Sequence, residues 1–346
     1  MKVTMASYQA LSIIKGGPAT QLHRTADYLK RGGVDIRYLP QWEEFRAADQ
    51  DIVHIFGAGL GTYHLARELH VLGVKTVVSP IMFSTHRPSF VSRGLRATRM
   101  MQRVWPGLWS DYSMLADTCG WARHVVPNSQ AEAGLVRDGL RIPSAKITVV
   151  PNGVDERFME ADPTLFTGRY GVRDFVLNVG HIGHGRKNVL NLIRALAEID
   201  RPAVIIGRII AGAYGEACVL EAKRHPHITL IDGLPNDSPM LASAYAACDT
   251  FVLPSLFETP GIAALEAGLA GAKVVITPHG GTTEYFGDDA IYVDPNSVAA
   301  IRDGIRLALA RPRDGQLRER IRSRYLWSHV ASQTKAVYER VIAEGR

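Results

Sequence analysis

Residues 250–271 read TFVLPSLFETPGIAALEAGLAG and combine a short apolar run, a loop with one glutamate and a helical stretch. The run at 250–253 is largely apolar, which is typical of a strand buried on both faces of a parallel sheet. Thr259 and Pro260 then suit the N-cap and the first position of a helix. Because ligands of open parallel sheets bind beyond the carboxyl ends of the strands, this stretch predicts a ligand site around Glu258.

The same alternation of short strands and amphipathic helical stretches runs through the whole chain. It is typical of an α/β fold in which helices cover both faces of a parallel sheet. Two series of strands predict two sheets. The predicted strands span residues 2–6, 36–39, 51–56, 75–79, 124–127 and 147–150 in the first half, and 175–179, 203–206, 228–231, 250–253, 273–276 and 290–293 in the second.

The length of the chain predicts more than one domain. At 346 residues it is longer than a single hydrophobic core usually supports. Strand periodicity lapses in residues 152–171, a charged stretch with proline and glycine that is typical of a linker. We therefore predict domains at residues 1–160 and 161–325. The helical segment at 326–346 can belong to either domain, and one arrangement packs it back on the first.

Composition narrows the classes of partner. A net charge of +6 and a pI near 9.2 favour anionic partners. No RNA-binding or zinc-finger pattern is present, so nucleic acid is not expected. No apolar run approaches the roughly 20 residues of a membrane span, and no export signal is recognisable, so we expect a cytoplasmic protein. The three cysteines lack metal or disulfide spacing and are predicted to be small core residues.

Glu258 and Glu266 form the strongest candidate pair of functional carboxylates. If the helix begins near Thr259, Glu266 lies on the order of 10 Å from its start. A glycosidase needs two carboxyl groups within roughly 5 to 9.5 Å across one bond, whereas a wider pair can hold hydroxyls on two sugars of one ligand. A nucleotide-sugar offers such a pair in its hexose and its ribose. The alternative left open is that Glu258 is a solvated loop residue and Glu266 a charge on the helix surface.

A second candidate is the glycine-rich loop in FVLNVGHIGHGRKN, residues 175–188. Arg186 and Lys187 precede a helix predicted to start at residue 188 or 189. Fixed positive charge beside a helix N-terminus is suited to a diphosphate. A solvated Arg–Lys pair is the alternative. Gly16 and Gly17 likewise precede a helix, where glycine permits close approach to a ligand but is equally typical of a plain turn.

Three other patterns lead to weaker interpretations. The GAGLG sequence at 57–61 does not fit the dinucleotide fingerprint, so a nicotinamide fold is unsupported. The D-x-D sequence at 49–51 precedes its strand, and we assign it no metal. A basic amphipathic helix pattern could contact an anionic membrane, although a solvated helix face is the favoured interpretation. Its residues are Arg93, Leu95, Arg96, Arg99, Met100, Arg103 and Val104.

In combination, these motifs resemble the retaining glycosyltransferases of family 4. The resemblance covers nearly the whole chain, and its most specific element is the E-x7-E signature formed by Glu258 and Glu266. It implies the GT-B architecture, two Rossmann-like domains that face each other across a deep cleft, with the acceptor side in the first and the nucleotide-sugar site in the second. The supporting motifs are VPNGVD at 150–155, VG…RKN at 179–188, PNS at 127–129 and GG at 16–17.

The resemblance also implies roles for individual residues. Arg186, Lys187 and Glu258 would be catalytic, with the two cations on the diphosphate and the carboxylate on the transferred sugar. Glu266 would bind the ribose. The other implied donor-binding positions are Gly16, Gly17, Gly207, Leu234, Thr259, Gly261 and Ile262. This chain departs from the family pattern in having His181 and Pro260 at positions where relatives often carry arginine and an aromatic residue.

The implied reaction is metal-independent, cofactor-free transfer of a hexose with retention of anomeric configuration. UDP-hexose is the first choice of donor and GDP-mannose the second, and the acceptor would be a glycan, a lipid-linked molecule or a small molecule. The alternatives are a nucleotide-sugar epimerase of related fold and a non-catalytic sugar-nucleotide-binding subunit. Because both positions are expected to be exposed, Lys187→Ala and Glu258→Ala should each reduce transfer by orders of magnitude while leaving the fold intact.

Overall fold

The computed structural model describes residues 1–13 and 16–344 and divides the chain into two compact units. Unit 1 comprises Met1–Gly153 and Trp327–Arg346, and unit 2 comprises Val154–Leu326. The boundary between the units lies between Gly153 and Val154, earlier in the chain than the boundary at residue 160 that the sequence predicts. The Val154 amide donates a 2.7 Å hydrogen bond to the Tyr325 carbonyl. Val154 thereby joins the end of unit 2, and the last helix belongs to unit 1.

Unit 1 contains a five-stranded parallel sheet in the order β2-β1-β3-β4-β5. A sixth strand at 147–150 was expected but does not form. β5 is only two residues long, and Ile147 makes an isolated bridge to it through Val125. The elements of unit 1 are β1 (Lys2–Ser7), α1 (Gly17–Arg31), β2 (Asp35–Tyr38), β3 (Ile52–Phe56), α2 (Leu60–Val71), β4 (Thr76–Ser79), α3 (Pro88–Gln102), α4 (Asp111–Trp121), β5 (His124–Val125), α5 (Gln130–Gly134) and, at the C-terminus, α14 (Trp327–Ala343).

Unit 2 contains a six-stranded parallel sheet in the order β11-β10-β9-β6-β7-β8, and all the strands expected in this half are present. Apolar clusters cover both faces of the sheet. Its elements are α6 (Thr164–Tyr170), β6 (Val176–Val179), α7 (Val189–Leu196), β7 (Ala203–Ile206), α8 (Ala213–Lys223), β8 (Ile228–Ile231), α9 (Pro239–Ala247), β9 (Thr250–Leu253), α10 (Ile262–Leu269), β10 (Lys273–Ile276), α11 (Thr282–Phe286), β11 (Ile291–Tyr292), α12 (Val298–Ala310) and α13 (Gln316–Arg324).

Each sheet has a topological switch point, on either side of which successive strands are added in opposite directions across the sheet. In unit 2 this point lies between β6 and β9, because β7 and β8 extend the sheet on one side and β10 and β11 on the other. The loops that follow β6 and β9 therefore diverge and leave a crevice at the carboxyl edge. In unit 1 the reversal lies between β1 and β3.

The glycines of the GAGLG sequence accommodate a tyrosine of unit 1. A Cβ at Gly61 would lie 2.6 Å from the Tyr8 Cβ, and one at Gly57 would lie 3.4 Å from the Tyr8 ring. Gly57 also has a φ of +85°. Packing and backbone conformation therefore account for these glycines without a bound dinucleotide.

The C-terminal helix is anchored in unit 1 through His54, which is fully buried on β3. The Nδ1 atom of His54 is hydrogen-bonded to the Tyr338 hydroxyl at 2.6 Å and its Nε2 atom to the Ser79 hydroxyl at 2.9 Å. Apolar residues of α14 share the core of β1 and α1. Burial lowers the pKa of His54 to about 3, so the imidazole is neutral in the folded chain.

This histidine should make unit 1 less stable in acid. Between about pH 6.5 and pH 3 the unfolded chain binds a proton that folded His54 does not, so the free energy of unfolding should fall by about 1.4 kcal/mol per pH unit. Urea unfolding of the chain and of His54→Gln at pH 7, 6 and 5 isolates this contribution from other titrating groups. Equal pH slopes in the two proteins would contradict the assignment.

The three cysteines, at 119, 218 and 248, are buried and unpaired with one another. Burial raises the pKa of Cys119 and of Cys248 to about 12. The prediction that they are core residues is confirmed. Among residues 1–13 and 16–344, no helix is both long enough and apolar enough to cross a bilayer.

Candidate functional site

The loops after β6 and β9 are tied together at the carboxyl edge of the unit 2 sheet. Asn188, which precedes α7, adopts a left-handed conformation, and its buried side-chain amide donates to the carbonyls of Pro254 (3.0 Å) and Pro295 (2.6 Å). The Leu256 amide donates to the Arg186 carbonyl at 2.9 Å. These bonds place Arg186 and Lys187 beside the glutamate loop, and α7 begins at Val189 as expected.

Both cations of this loop converge on Glu258. The Lys187 Nζ lies 2.6 Å from Glu258 Oε1, and Arg186 Nη1 lies 3.2 Å from the same oxygen. Arg186 also donates to the Phe257 carbonyl at 2.7 Å. Glu258 is only 5% exposed, so the alternative of a solvated loop residue is wrong.

The pKa of Glu258 lies below its ordinary value. Burial raises this pKa, but the charges of Lys187 and Arg186 and the hydrogen bond from Lys187 lower it by more. The carboxylate is therefore ionised at neutral pH. A glycosidase acid requires a raised pKa, so Glu258 is unsuited to that role. Burial, together with the charges of Lys187, His184, Arg208 and Arg186, lowers the pKa of His181, which lies in the loop after β6.

The loop after β10 holds the backbone of Glu258 in place. The Glu258 amide donates to the His279 carbonyl, and the Gly281 amide donates to the Glu258 carbonyl, both at 3.0 Å. A Cβ at Gly280 would lie 1.9 Å from the Glu258 oxygen. Only glycine fits this approach, and Gly280 has a φ of +104°. The sequence contained a signal for this support in the glycine pair that follows a strand.

The helix after Glu258 starts later than predicted. Thr259 is not its N-cap and Pro260 is not its first residue, because Gly261 adopts a left-handed conformation with φ +82° and α10 begins at Ile262. The first intrahelical bonds are those from Ala264 (2.8 Å) and Leu265 (3.3 Å) to the Gly261 carbonyl. The amides of the first turn, beginning with Ile262, thus lie at the helix start, where an α-helix favours anions.

Glu266 is buried inside unit 2, with 4% of its surface exposed, so the alternative of a charge on the helix surface is also wrong. The Tyr245 hydroxyl donates to Glu266 Oε2 at 2.7 Å, and the Asn236 side chain donates to Oε1 at 3.2 Å. Burial and the Glu266 charge raise the pKa of Tyr245 well above 10. As the fifth residue of α10, Glu266 lies only about 6 Å along the axis from the helix start, closer than the 10 Å expected.

The remaining predicted positions are divided between the units. Gly207 and Leu234 follow β7 and β8 at the carboxyl edge of the unit 2 sheet. A Cβ at Gly207 would lie 1.7 Å from the Gly180 carbonyl oxygen, so this glycine allows two loops to meet. Gly16 and Gly17 stand at the start of α1 in unit 1, and Gly16 has an extended backbone that any residue adopts.

Sequence reasoning missed the two residues that donate hydrogen bonds to Glu266. Asn236 precedes α9 and Tyr245 lies on it, and neither belongs to a recognisable motif. No signal in one sequence therefore distinguishes them from ordinary core and loop residues.

The hydroxyl oxygen of Thr259 is buried and has no hydrogen-bond partner within the part of the chain that the structure describes. That part also contains no group of three or more His, Cys, Asp or Glu residues able to hold a metal ion.

Comparison with known families gives a match in each half of the chain. The model of the family described as Glycosyl transferases group 1 matches residues 167–325. The model of Glycosyltransferase Family 4 matches residues 15–158. The matches together span most of both units.

Individual relatives and solved structures agree with these matches. An uncharacterized glycosyltransferase of Methanocaldococcus jannaschii is 26% identical, and the match covers 98% of each chain. The fold is similar to that of sucrose-phosphate synthase from Thermosynechococcus elongatus, with a TM-score of 0.77, 16% identity and coverage of 99% of this chain and 100% of the other. It is also similar to the Anabaena protein HepE in complex with UDP and glucose, with a TM-score of 0.72, 16% identity and coverage of 98% and 99%.

Proposed function

Because the chain belongs to the glycosyltransferases of the family 4 type and has the GT-B fold, we propose that it transfers a hexose from a nucleotide-sugar with retention of anomeric configuration. Lys187 and Arg186 hold the diphosphate of the donor, and Glu258 accepts hydrogen bonds from the hydroxyls of the sugar. Glu266 receives the ribose. The observation that carries the proposal is the convergence of two cations on one buried carboxylate at the switch point of the unit 2 sheet.

The charges of the site favour an anionic ligand. Two cationic side chains face one carboxylate, so the cluster retains one positive charge. The first-turn amides of α10 add the positive end of a helix dipole beyond the same strand. The buried Thr259 hydroxyl, next to Glu258 in the chain, supplies a polar group that a sugar hydroxyl can satisfy. A diphosphate with an attached hexose matches all three features.

The proposed transfer requires no base from the protein. The acceptor hydroxyl oxygen forms a bond to the anomeric carbon on the same face from which the diphosphate leaves. The bond between the anomeric carbon and the phosphate oxygen breaks, and the proton of the acceptor hydroxyl passes to that phosphate oxygen. Lys187 and Arg186 stabilise the negative charge that develops on the diphosphate, which is the role of a metal ion in other transferases. The lowered pKa of Glu258 suits a hydrogen-bond acceptor better than an acid.

We propose UDP-hexose as the donor and GDP-mannose as the second choice. The likeness to a fold solved with UDP and glucose supports this order. Base recognition would fall to backbone and apolar groups around Gly207 and Leu234. For the acceptor we propose a glycan, a lipid-linked molecule or a small molecule.

A thermal-shift screen of UDP, GDP, ADP and their sugars tests the donor. Binding at about 100 times Kd stabilises the folded chain by about 2.7 kcal/mol, which should raise the Tm of unit 2 by about 5 to 10 °C. We expect UDP and UDP-hexose to produce the largest shift. The same screen on Glu266→Gln is the control, because loss of a ribose contact should reduce the shift for every nucleoside diphosphate alike.

Product analysis then tests the reaction. Transfer to an acceptor with the anomeric configuration retained supports the proposal. Formation of an epimer without acceptor would identify an epimerase instead, and donor binding without turnover across a panel of acceptors would identify a binding subunit. No shift with any nucleoside diphosphate would overturn the proposed site.

A further inference from the structure

The helix α3 exposes an apolar stripe on the side away from the unit 1 core. Val91 and Leu95 are buried on the inner side of the helix. The outer positions follow the three- and four-residue spacing of a single helix face, which continues into the turn after α3. We call this surface the α3 stripe; its exposed apolar residues are Phe90, Ala97, Met100, Met101, Val104 and Trp105.

The exposure of this stripe is large for such residues. Met100 is 68% exposed, Val104 71% and Trp105 63%. Single exposed apolar side chains are ordinary on protein surfaces, but a contiguous set is typical of a surface that binds a membrane or another molecule. Trp109, which packs on Tyr63, adds a second partly exposed indole just beyond the stripe.

The turn that carries Trp105 is held by hydrogen bonds. The Trp105 and Val104 amides donate to the Met101 carbonyl at 2.8 and 3.0 Å, and the Leu108 amide donates to the Trp105 carbonyl at 3.0 Å. The Gln102 side chain donates to the Leu108 carbonyl at 2.9 Å. The backbone that carries the indole is therefore held in place, while the Trp105 side chain itself is 63% exposed.

Apart from histidine, the charged side chains of the segment that carries the stripe are all basic. Residues 83–110 contain five arginines and no aspartate or glutamate. Arg99 pairs with Asp117 of α4, while Arg93, Arg96 and Arg103 are exposed on α3 and at its end. Arginine side chains can place their apolar stems beside the stripe and their guanidinium groups in the plane of lipid phosphates.

We propose that the α3 stripe docks unit 1 on an anionic lipid bilayer. The helix lies in the plane of the interface, Val104 and Trp105 enter the boundary between headgroups and acyl chains, and Arg93, Arg96 and Arg103 contact the phosphates. The favoured sequence interpretation of a solvated helix face considered the charges without the exposed indole. The inference does not depend on the transferase reaction, because its test measures binding to lipid.

Sedimentation with vesicles tests the proposal on the full chain. The chain should bind vesicles of phosphatidylglycerol and phosphatidylcholine at low salt, and bind pure phosphatidylcholine far more weakly. Arg96→Gln/Arg103→Gln should weaken partitioning about 10- to 30-fold, because each arginine near an anionic surface contributes about fivefold. Val104→Ser/Trp105→Ser should weaken it at least about tenfold, since both side chains leave water on docking.

Two matched controls isolate the surface. Trp42→Ser removes an indole that is 94% exposed in unit 1 but stands beside Glu43 and Glu44. Arg169→Gln/Arg173→Gln removes two exposed arginines of unit 2 and gives the same change in net charge as the α3 double variant. Both controls should bind the mixed vesicles like the unchanged chain.

Three results would overturn the proposal. One is an unchanged chain that does not bind the anionic vesicles. Another is equal partitioning of the α3 variants and their controls, which would place any binding elsewhere. The third is a dimer in sedimentation equilibrium that Val104→Ser/Trp105→Ser converts to monomer, because the stripe would then be covered by a second copy of the chain.

Discussion

Replacement of Lys187 by methionine is expected to lower the rate of sugar transfer by about two to three orders of magnitude. Methionine retains the apolar stem but removes the charge that lies 2.6 Å from Glu258. Under the proposed mechanism this charge stabilises the departing diphosphate, and loss of one preorganised group of this kind costs about 10²- to 10³-fold in kcat. Steady-state kinetics with saturating donor measure the effect, and the thermal midpoint shows whether the variant is folded.

Lys223→Met is the matched control for this prediction. Lys223 is the last residue of α8 in the same unit, is exposed, and loses the same charge on substitution. Its kcat should stay within about twofold of that of the unchanged chain, since an exposed charge outside the site makes no contact in the transition state. Near-normal kcat in a folded Lys187→Met protein would exclude Lys187 from the diphosphate site.

The burial of Glu258 changes how its own role should be tested. Alanine was expected to be harmless to the fold, but that expectation assumed an exposed carboxylate and is wrong on this point. Glu258→Ala leaves a cavity and two cations without the carboxylate they contact, and breaking a buried pair destabilises a protein strongly. Glutamine keeps the shape and one hydrogen-bond acceptor, so it is the better substitution at this position.

The parallel sheet of unit 2 was predictable because each strand is a short β-branched run flanked by helical periodicity. The short elements at the edge of the unit 1 sheet were harder to predict. At residues 147–150 the local pattern is that of a strand, yet pairing depends on the length of its neighbour, and β5 offers only two residues. A strand needs a partner, and one-dimensional periodicity contains no information about the length of the partner.

The chemistry of the site was predictable where it lies in local motifs. Arg186, Lys187 and Glu258 could be named because a glycine-rich loop and an acidic loop each follow a strand, and parallel topology brings such loops to one edge. Their mutual contact could not be named, since it depends on side-chain placement across 71 residues. Tyr245 and Asn236 were missed for the same reason, because their contact with Glu266 arises only after α9 packs on α10.

The start of α10 shows the limit of capping rules. Thr259 and Pro260 fit the preferred N-terminal pattern, but the chain instead takes a left-handed turn at Gly261 and begins the helix at Ile262. The backbone of Glu258 bridges to Gly280 of the neighbouring loop, and this tertiary contact outweighs local preference. As a result Glu258 is drawn under the loop after β10, where it meets both cations.

Gly280→Ala is therefore expected to damage the site from a distance in sequence. The added Cβ would lie 1.9 Å from the Glu258 carbonyl oxygen, so the two loops must separate. The φ of +104° is also unfavourable for alanine and costs stability by itself. The clash should lower the free energy of unfolding by at least about 2 kcal/mol more than this backbone strain alone. In the folded fraction, displacement of Glu258 by about 1 Å should lower transfer by about 10²-fold.

Gly271→Ala separates the two causes, because Gly271 has a nearly equal φ of +96° but open space where the Cβ would stand. It should lose only the stability that backbone strain costs, about 1 to 3 kcal/mol, and retain transfer activity. Urea unfolding of both variants, with kinetics at equal folded concentration, gives the comparison. Equal stability and equal activity of Gly280→Ala and Gly271→Ala would contradict this prediction. The loop after β10 would then not position Glu258, and only Lys187 and Arg186 would hold the carboxylate.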